Sequence, residues 1–122
     1  MPQVLVVDDE EQMRKLIRLV LQKEGCAVIE ASNGKEAIRH MQKADIDLVI
    51  SDVVMPDMDG LELIREIRRV HPEIKILAIS GAGRGGPGLY LNIAERFGAD
   101  AILMKPFAPG QLIEKVSKLR QT

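Results

Sequence analysis

Leu48-Val49-Ile50-Ser51-Asp52-Val53-Val54-Met55-Pro56 is a short apolar run that ends in a carboxylate and then in a proline-bounded loop. It is too short for a helix and reads as a strand buried on both faces of a parallel sheet. Asp52 then stands at the carboxyl end of that strand, where open α/β sheets place their ligands. A lone Asp at this place is ordinary turn chemistry. Three other apolar runs close in the same way, on Asp8-Asp9, on Ser80 and on Lys105. Four strand ends carrying three carboxylates, a hydroxyl and an ammonium predict one shared site.

Working outward, Val4-Leu5-Val6-Val7 precedes Asp8-Asp9, and a helix follows with Met13, Leu16, Ile17, Val20 and Leu21 on one stripe up to Gly25. Asp9 with Gln12 three residues on also fits a capping box, so Asp9 has a structural reading beside the functional one. Cys26-Ala27-Val28-Ile29 is a second strand, in which Cys26 acts as a small packed hydrophobe. After the Asn33-Gly34 turn, Ala37, Ile38, Met41 and Ala44 line a narrow helical stripe that leaves His40 in solvent. Beyond Asp52, Asp57 and Asp59 read as turn and cap residues before a helix carrying Leu63, Ile64, Ile67 and Val70. His71-Pro72 ends that helix. Ile76-Leu77-Ala78-Ile79 runs into Ser80, and a Gly-rich segment leads to a helix with Leu91, Ile93, Ala94 and Phe97 that stops at Gly98. Ala101-Ile102-Leu103-Met104 ends in Lys105-Pro106, and a last helix shows Leu112, Ile113, Val116 and Leu119.

Five strands alternating with five helices predict a doubly wound α/β fold with right-handed crossovers and strand order 2-1-3-4-5. In that order the first and third strands are neighbours, so Asp8-Asp9 and Asp52 meet at the switch point.

Composition narrows the function. The 122 residues make one domain, 1–122, with 46% hydrophobic and 29% charged residues, as in ordinary globular proteins. A net charge of −1 leaves no basic excess for phosphate backbones, and 2% aromatic residues give no stacking platform, so direct nucleic-acid binding is not expected. No apolar run approaches a membrane span, and Met1-Pro2-Gln3 leads into a strand rather than a signal peptide. With Cys26 the sole cysteine, a cytoplasmic location is the default expectation.

Three carboxylates at adjacent strand ends repel: two unit charges about 4 Å apart cost roughly 4 kcal/mol at an effective dielectric of about 20. Either one stays protonated or a cation sits among them. Oxygen-only ligands favour Mg²⁺, which keeps waters free to exchange for phosphate oxygens. A carboxylate beside Mg²⁺, with a Lys and a hydroxyl at hand, suits phosphoryl transfer onto aspartate. Asp52 is the candidate nucleophile, with Asp8, Asp9, Asp52 and the backbone carbonyl of Val54 as metal ligands. Ser80 and Lys105 are placed to hold phosphoryl oxygens.

Together, Asp8-Asp9, the run from Asp52 to Gly60, Ser80 and Lys105-Pro106-Phe107 resemble the receiver domain of two-component response regulators, a flavodoxin-like fold of the CheY-like superfamily. The resemblance covers nearly the whole chain. It implies that Asp52 accepts a phosphoryl group, with Mg²⁺, from a sensor histidine kinase, a histidine phosphotransfer protein or a small phosphodonor. It also implies a cis peptide at Lys105-Pro106. The switched surface would be the one formed by the fourth helix, fifth strand and fifth helix, where Leu89, Tyr90 and Leu91 lie, toward an unknown downstream protein. Such a domain is a regulator that assists its own phosphorylation and dephosphorylation, not a turnover enzyme.

Three departures from the family pattern stand out. Ile102 replaces the aromatic usual three residues before the Lys. The segment from Ser80 to Gly88 is long and glycine-rich, which suggests ordering on phosphorylation as an alternative switch. Val54 and Ala82 replace side chains that often orient a hydrolytic water, which implies slow self-dephosphorylation.

Two other readings compete. Gly81, Gly83 and Gly86 formally match a dinucleotide fingerprint, but they do not open the first strand-helix unit, and Lys105 stands where an acid is wanted. A Mg²⁺-dependent phosphatase with an aspartyl nucleophile usually carries a second Asp where this chain has Val54.

Overall fold

The computed structural model describes residues 1–53, 60–81 and 89–121, with backbone alone at 89–91 and 93. Its elements run β1 (Gln3–Val7), α1 (Glu11–Lys23), β2 (Ala27–Ala31), α2 (Gly34–Lys43), β3 (Leu48–Asp52), α3 (Gly60–Val70), β4 (Lys75–Ser80), α4 (Leu89–Phe97), β5 (Ala101–Met104) and α5 (Pro109–Arg120). The strands form one parallel sheet in the order β2-β1-β3-β4-β5, as the sequence predicts.

Strand alternation divides the core into two layers. Val4, Val6, Leu48, Ile50, Leu77, Ile79 and Leu103 face Ile17 and Leu21 of α1 and Leu112, Val116 and Leu119 of α5. Leu5, Val7, Val49, Ile76 and Ala78 face the other way, onto Ala37 and Met41 of α2, Leu63, Ile64 and Ile67 of α3, and Ala94 of α4. Each fully buried Leu or Ile contributes roughly 1.5–3 kcal/mol, so continuous apolar strands fix this layering. No helix among the described residues is long and apolar enough to cross a membrane.

Four local readings need correction. β2 begins at Ala27, one residue later than the sequence suggests, because Cys26 belongs to the end of α1. Gly25 adopts φ 85°, its N–H donates to the Gln22 carbonyl, and the Cys26 N–H reaches back to Leu21. This is a Schellman closure, which a left-handed glycine makes cheap. Cys26 itself is buried and free, as expected of a packing residue. Val70, read as part of the α3 stripe, is 50% exposed. His40 is half-buried rather than solvated. Asp9 is not an N-cap: α1 is entered through Glu10, which makes no side-chain capping bond. The true cap in this half of the chain is Asn33, whose Oδ1 accepts the Glu36 N–H at 2.9 Å.

Register sets the strand ends level. Val7 pairs with Ser51, Asp52 with Ile79, and Ser80 with Met104. Asp8, Asp52, Ser80 and Lys105 therefore all stand at the carboxyl edge.

Candidate functional site

By alternation Asp8 continues the Val4–Val6 row, Asp52 the Leu48–Ile50 row, and Lys105 the Leu103 row, all toward the α1/α5 layer. The Lys105 ammonium lies between them, 3.1 Å from Asp8 Oδ2 and 3.0 Å from Asp52 Oδ2. The Lys105-Pro106 peptide is cis. Asp8 and Asp52 are buried, whereas Asp9 and Glu10 are exposed; a Glu10 oxygen lies 3.8 Å from the same ammonium. One carboxylate oxygen from each of Asp8, Asp9 and Asp52 falls within 4.8 Å of the others.

The electrostatics follow from this crowding. Burial pushes the Asp8 carboxyl above its ordinary range, and the Asp52 charge adds to that, against the opposing pull of the Glu10 N–H and Lys105. Burial also disfavours the charged ammonium of Lys105. The charges and hydrogen bonds of Asp52 and Asp8 outweigh that cost and hold its pKa above the usual value. One ammonium thus serves two buried acids, with a third and a fourth at the rim.

Ser80 is buried at the same edge but continues the Ile76–Ala78 row, toward the α2–α4 layer. Its hydroxyl donates to the Gly81 carbonyl at 3.2 Å, and its own carbonyl accepts the Lys105 N–H at 2.8 Å. The backbone therefore ties Ser80 to Lys105. Gly60 opens α3 directly against the end of β3, donating its N–H to the Val53 carbonyl. A Cβ there would sit 2.0 Å from the Asp52 carbonyl oxygen, so only glycine permits this approach. Ile102 is half-buried and packed on the α2–α4 core.

Val54, Met55, Asp57, Asp59, Ala82, Gly83 and Gly86 lie outside the described residues, as do the side chains of Leu89, Tyr90 and Leu91. Sequence reasoning missed Glu10, whose N–H donates to Asp8 Oδ1 at 2.9 Å, and Arg14, which reaches the Asp8 carbonyl. An acid following Asp8-Asp9 and an arginine one helical turn further on were the available signals.

The donor set suits a hard divalent ion. Octahedral Mg²⁺ with oxygens at about 2.1 Å separates neighbouring ligands by about 3 Å and opposed ones by about 4.2 Å. The three carboxylates already stand close to that spread, with no nitrogen or sulfur ligand among them.

Residues 4–117 match the sequence profile of the response regulator receiver domain. The chain belongs to this family. It is 34% identical over 117 residues to the chemotaxis protein CheY of Thermotoga maritima, covering 95% of each chain. Two longer relatives match over the same region: the sensor kinase CckA of Brucella abortus at 40% identity and the transcriptional regulatory protein ResD of Bacillus subtilis at 38%. The chain spans 12% and 47% of their lengths. Among solved structures, the receiver domain of NtrX from Brucella abortus superposes with a TM-score of 0.91 at 32% identity, covering 98% of both chains. CheY4 of Vibrio cholerae superposes with a TM-score of 0.88, also at 32% identity and 98% coverage of both. The chain is thus a receiver domain with a phosphoacceptor signalling role.

Proposed function

We propose that residues 1–122 act as one receiver domain in which Asp52 takes a phosphoryl group from a phosphohistidine of a sensor histidine kinase or a histidine phosphotransfer protein. The observation that carries this reading is the Lys105 ammonium shared between Asp8 and Asp52 at the sheet's carboxyl edge. In the transfer the N–P bond of the donor breaks, an Asp52 oxygen forms the new bond to phosphorus, and the donor imidazole leaves. Asp8 and Asp9, with Asp52 and the carbonyl of Val54, would hold Mg²⁺, which supplies charge neutralisation for the transferring oxygens. Lys105 moves from its carboxylate partner to a phosphoryl oxygen, because the acyl phosphate carries more charge than the acid it replaces. Ser80 takes a second oxygen after its hydroxyl turns from Gly81.

The protein is a phosphoacceptor, not a turnover enzyme, and Val54 and Ala82 make its self-dephosphorylation slow. A radiolabel chase showing a phosphoryl lifetime of only seconds would contradict that. A cytoplasmic location and an unidentified downstream protein partner complete the proposal. The dinucleotide reading leaves Asp8, Asp9 and Asp52 unexplained, and the phosphatase reading lacks the second Asp whose position Val54 holds.

The test is intact-protein mass spectrometry after incubation with acetyl phosphate and MgCl₂. One phosphoryl group is expected on the wild type and none on Asp52→Asn. Equal labelling of both proteins, or none on either, would overturn the assignment.

A further inference from the structure

The turn that carries Asp8 and Asp9 is closed from within by the Glu10 N–H, which donates to Asp8 Oδ1 at 2.9 Å. α1 begins at Glu11 with no side-chain cap. Arg14, inside the helix, adds a second hold on the peptide between Asp8 and Asp9. Its Nη1 donates to the Asp8 carbonyl at 2.8 Å, and its Nε donates to Glu30 Oε1 on β2 at 3.2 Å. The other Glu30 oxygen accepts Arg18 Nη1 at 2.5 Å. The Arg14 side chain is only 16% exposed. On its other side Asp8 is anchored by its N–H, which donates to the Ala31 carbonyl at 3.2 Å. The guanidinium therefore locks the one carbonyl whose rotation would swing the Asp9 side chain away from Asp8 and Asp52.

We propose that Arg14, oriented by Glu30, is a positioning residue for divalent-cation binding, holding the Asp8-Asp9 peptide so that the three carboxylates converge. This rests on the reading of those acids as the Mg²⁺ site. The sign of the effect separates positioning from charge. Arg14 is a cation close to a cation site, so by charge alone its removal tightens Mg²⁺ binding. By positioning, its removal weakens binding, about 10-fold or more, the range found for groups that orient metal ligands. A lysine keeps the charge but not the rigid fork that spans two acceptors.

The experiment is calorimetric titration of the full chain with MgCl₂, alongside urea unfolding in EDTA, for wild type and four variants. Arg14→Ala and Arg14→Lys are expected to raise the Mg²⁺ Kd about 10-fold. Glu30→Gln, which leaves Arg14 charged but loosely oriented, raises it less. Arg18→Ala shares Glu30 without touching Asp8 and leaves the Kd within about twofold, while its metal-free stability falls as much as that of Glu30→Gln. Should Arg14→Ala fail to fold, Arg14→Lys and Glu30→Gln carry the decision. Unchanged or tighter binding in the folded Arg14 variants overturns the positioning role and leaves the metal site standing. No Mg²⁺ binding by the wild type overturns both.

Discussion

The two edges of the sheet use carboxylates in opposite ways. At the amino edge Asp47 accepts the Gln3 N–H at 2.8 Å, and Asp100 accepts the Ile76 N–H at 2.8 Å and the Arg68 guanidinium at 2.6 Å. Parallel strands begin with free N–H groups, so an acid there meets donors and is stabilised by them. The strands end in carbonyls, so an acid at the carboxyl edge meets other acceptors. There Asp8 and Asp52 share the Lys105 ammonium, and the Glu10 N–H also donates to Asp8. Acids at the amino edge close the fold; acids at the carboxyl edge strain it, and a bound cation would relieve that strain.

Removing the cation from the strained edge has the largest expected effect. Lys105→Met leaves two buried carboxylates facing one another and is expected to destabilise the metal-free protein by about 2–3 kcal/mol, below the range for fully buried pairs because the ammonium is partly exposed. Mg²⁺ should then stabilise the variant more than the wild type, since ammonium and ion compete for the same oxygens. Urea unfolding with EDTA or MgCl₂ checks both statements; equal stabilisation of the two proteins by Mg²⁺ would break the comparison.

At the opposite edge, Arg68 donates to the carbonyls of Gly98, Pro72 and Ile74 as well as to Asp100. Arg68→Ala is expected to cost about 1–2 kcal/mol while leaving the Mg²⁺ Kd unchanged. A Kd that moves with Arg68 would mean that the two edges are not independent.

The smallest effect sharpens the contrast with a well-served acid in the first turn of α2. Glu36 accepts the hydroxyl and the N–H of Ser32, and these bonds hold its carboxyl below the ordinary 4.5. A lowered pKa means stability present above the unfolded value and lost as pH falls through the folded one. Glu36→Gln is expected to lose about 0.5 kcal/mol at neutral pH, with the difference vanishing in acid. A difference that grew in acid would reverse the assigned sign.

Much of this contrast was legible in the residues. Strands buried on both faces announce themselves as apolar runs, and the chemistry-bearing residue closing each run lies outside the periodicity. That is why Asp8, Asp52, Ser80 and Lys105 could be placed before any coordinates. Contacts between distant segments were not legible. Nothing in the local pattern says that Arg14 reaches the Asp8 carbonyl or that Asp100 meets the Ile76 N–H, because both depend on how helices land on the sheet. Local rules also compete. Asp9 and Gln12 satisfy a capping pattern, yet the helix starts later, and Cys26 fits a strand by composition yet completes the end of α1.

The central claim is most directly tested by the stability of Asp8→Asn in urea. Asp8 has a raised pKa, so its contribution is favourable below its ordinary 3.8 and is lost as pH rises through the folded value. Asp8→Asn is therefore expected to be more stable than wild type in EDTA at neutral pH, with the gap closing in acid and reversing when MgCl₂ is added. A variant less stable than wild type in EDTA, and indifferent to Mg²⁺, would contradict the account.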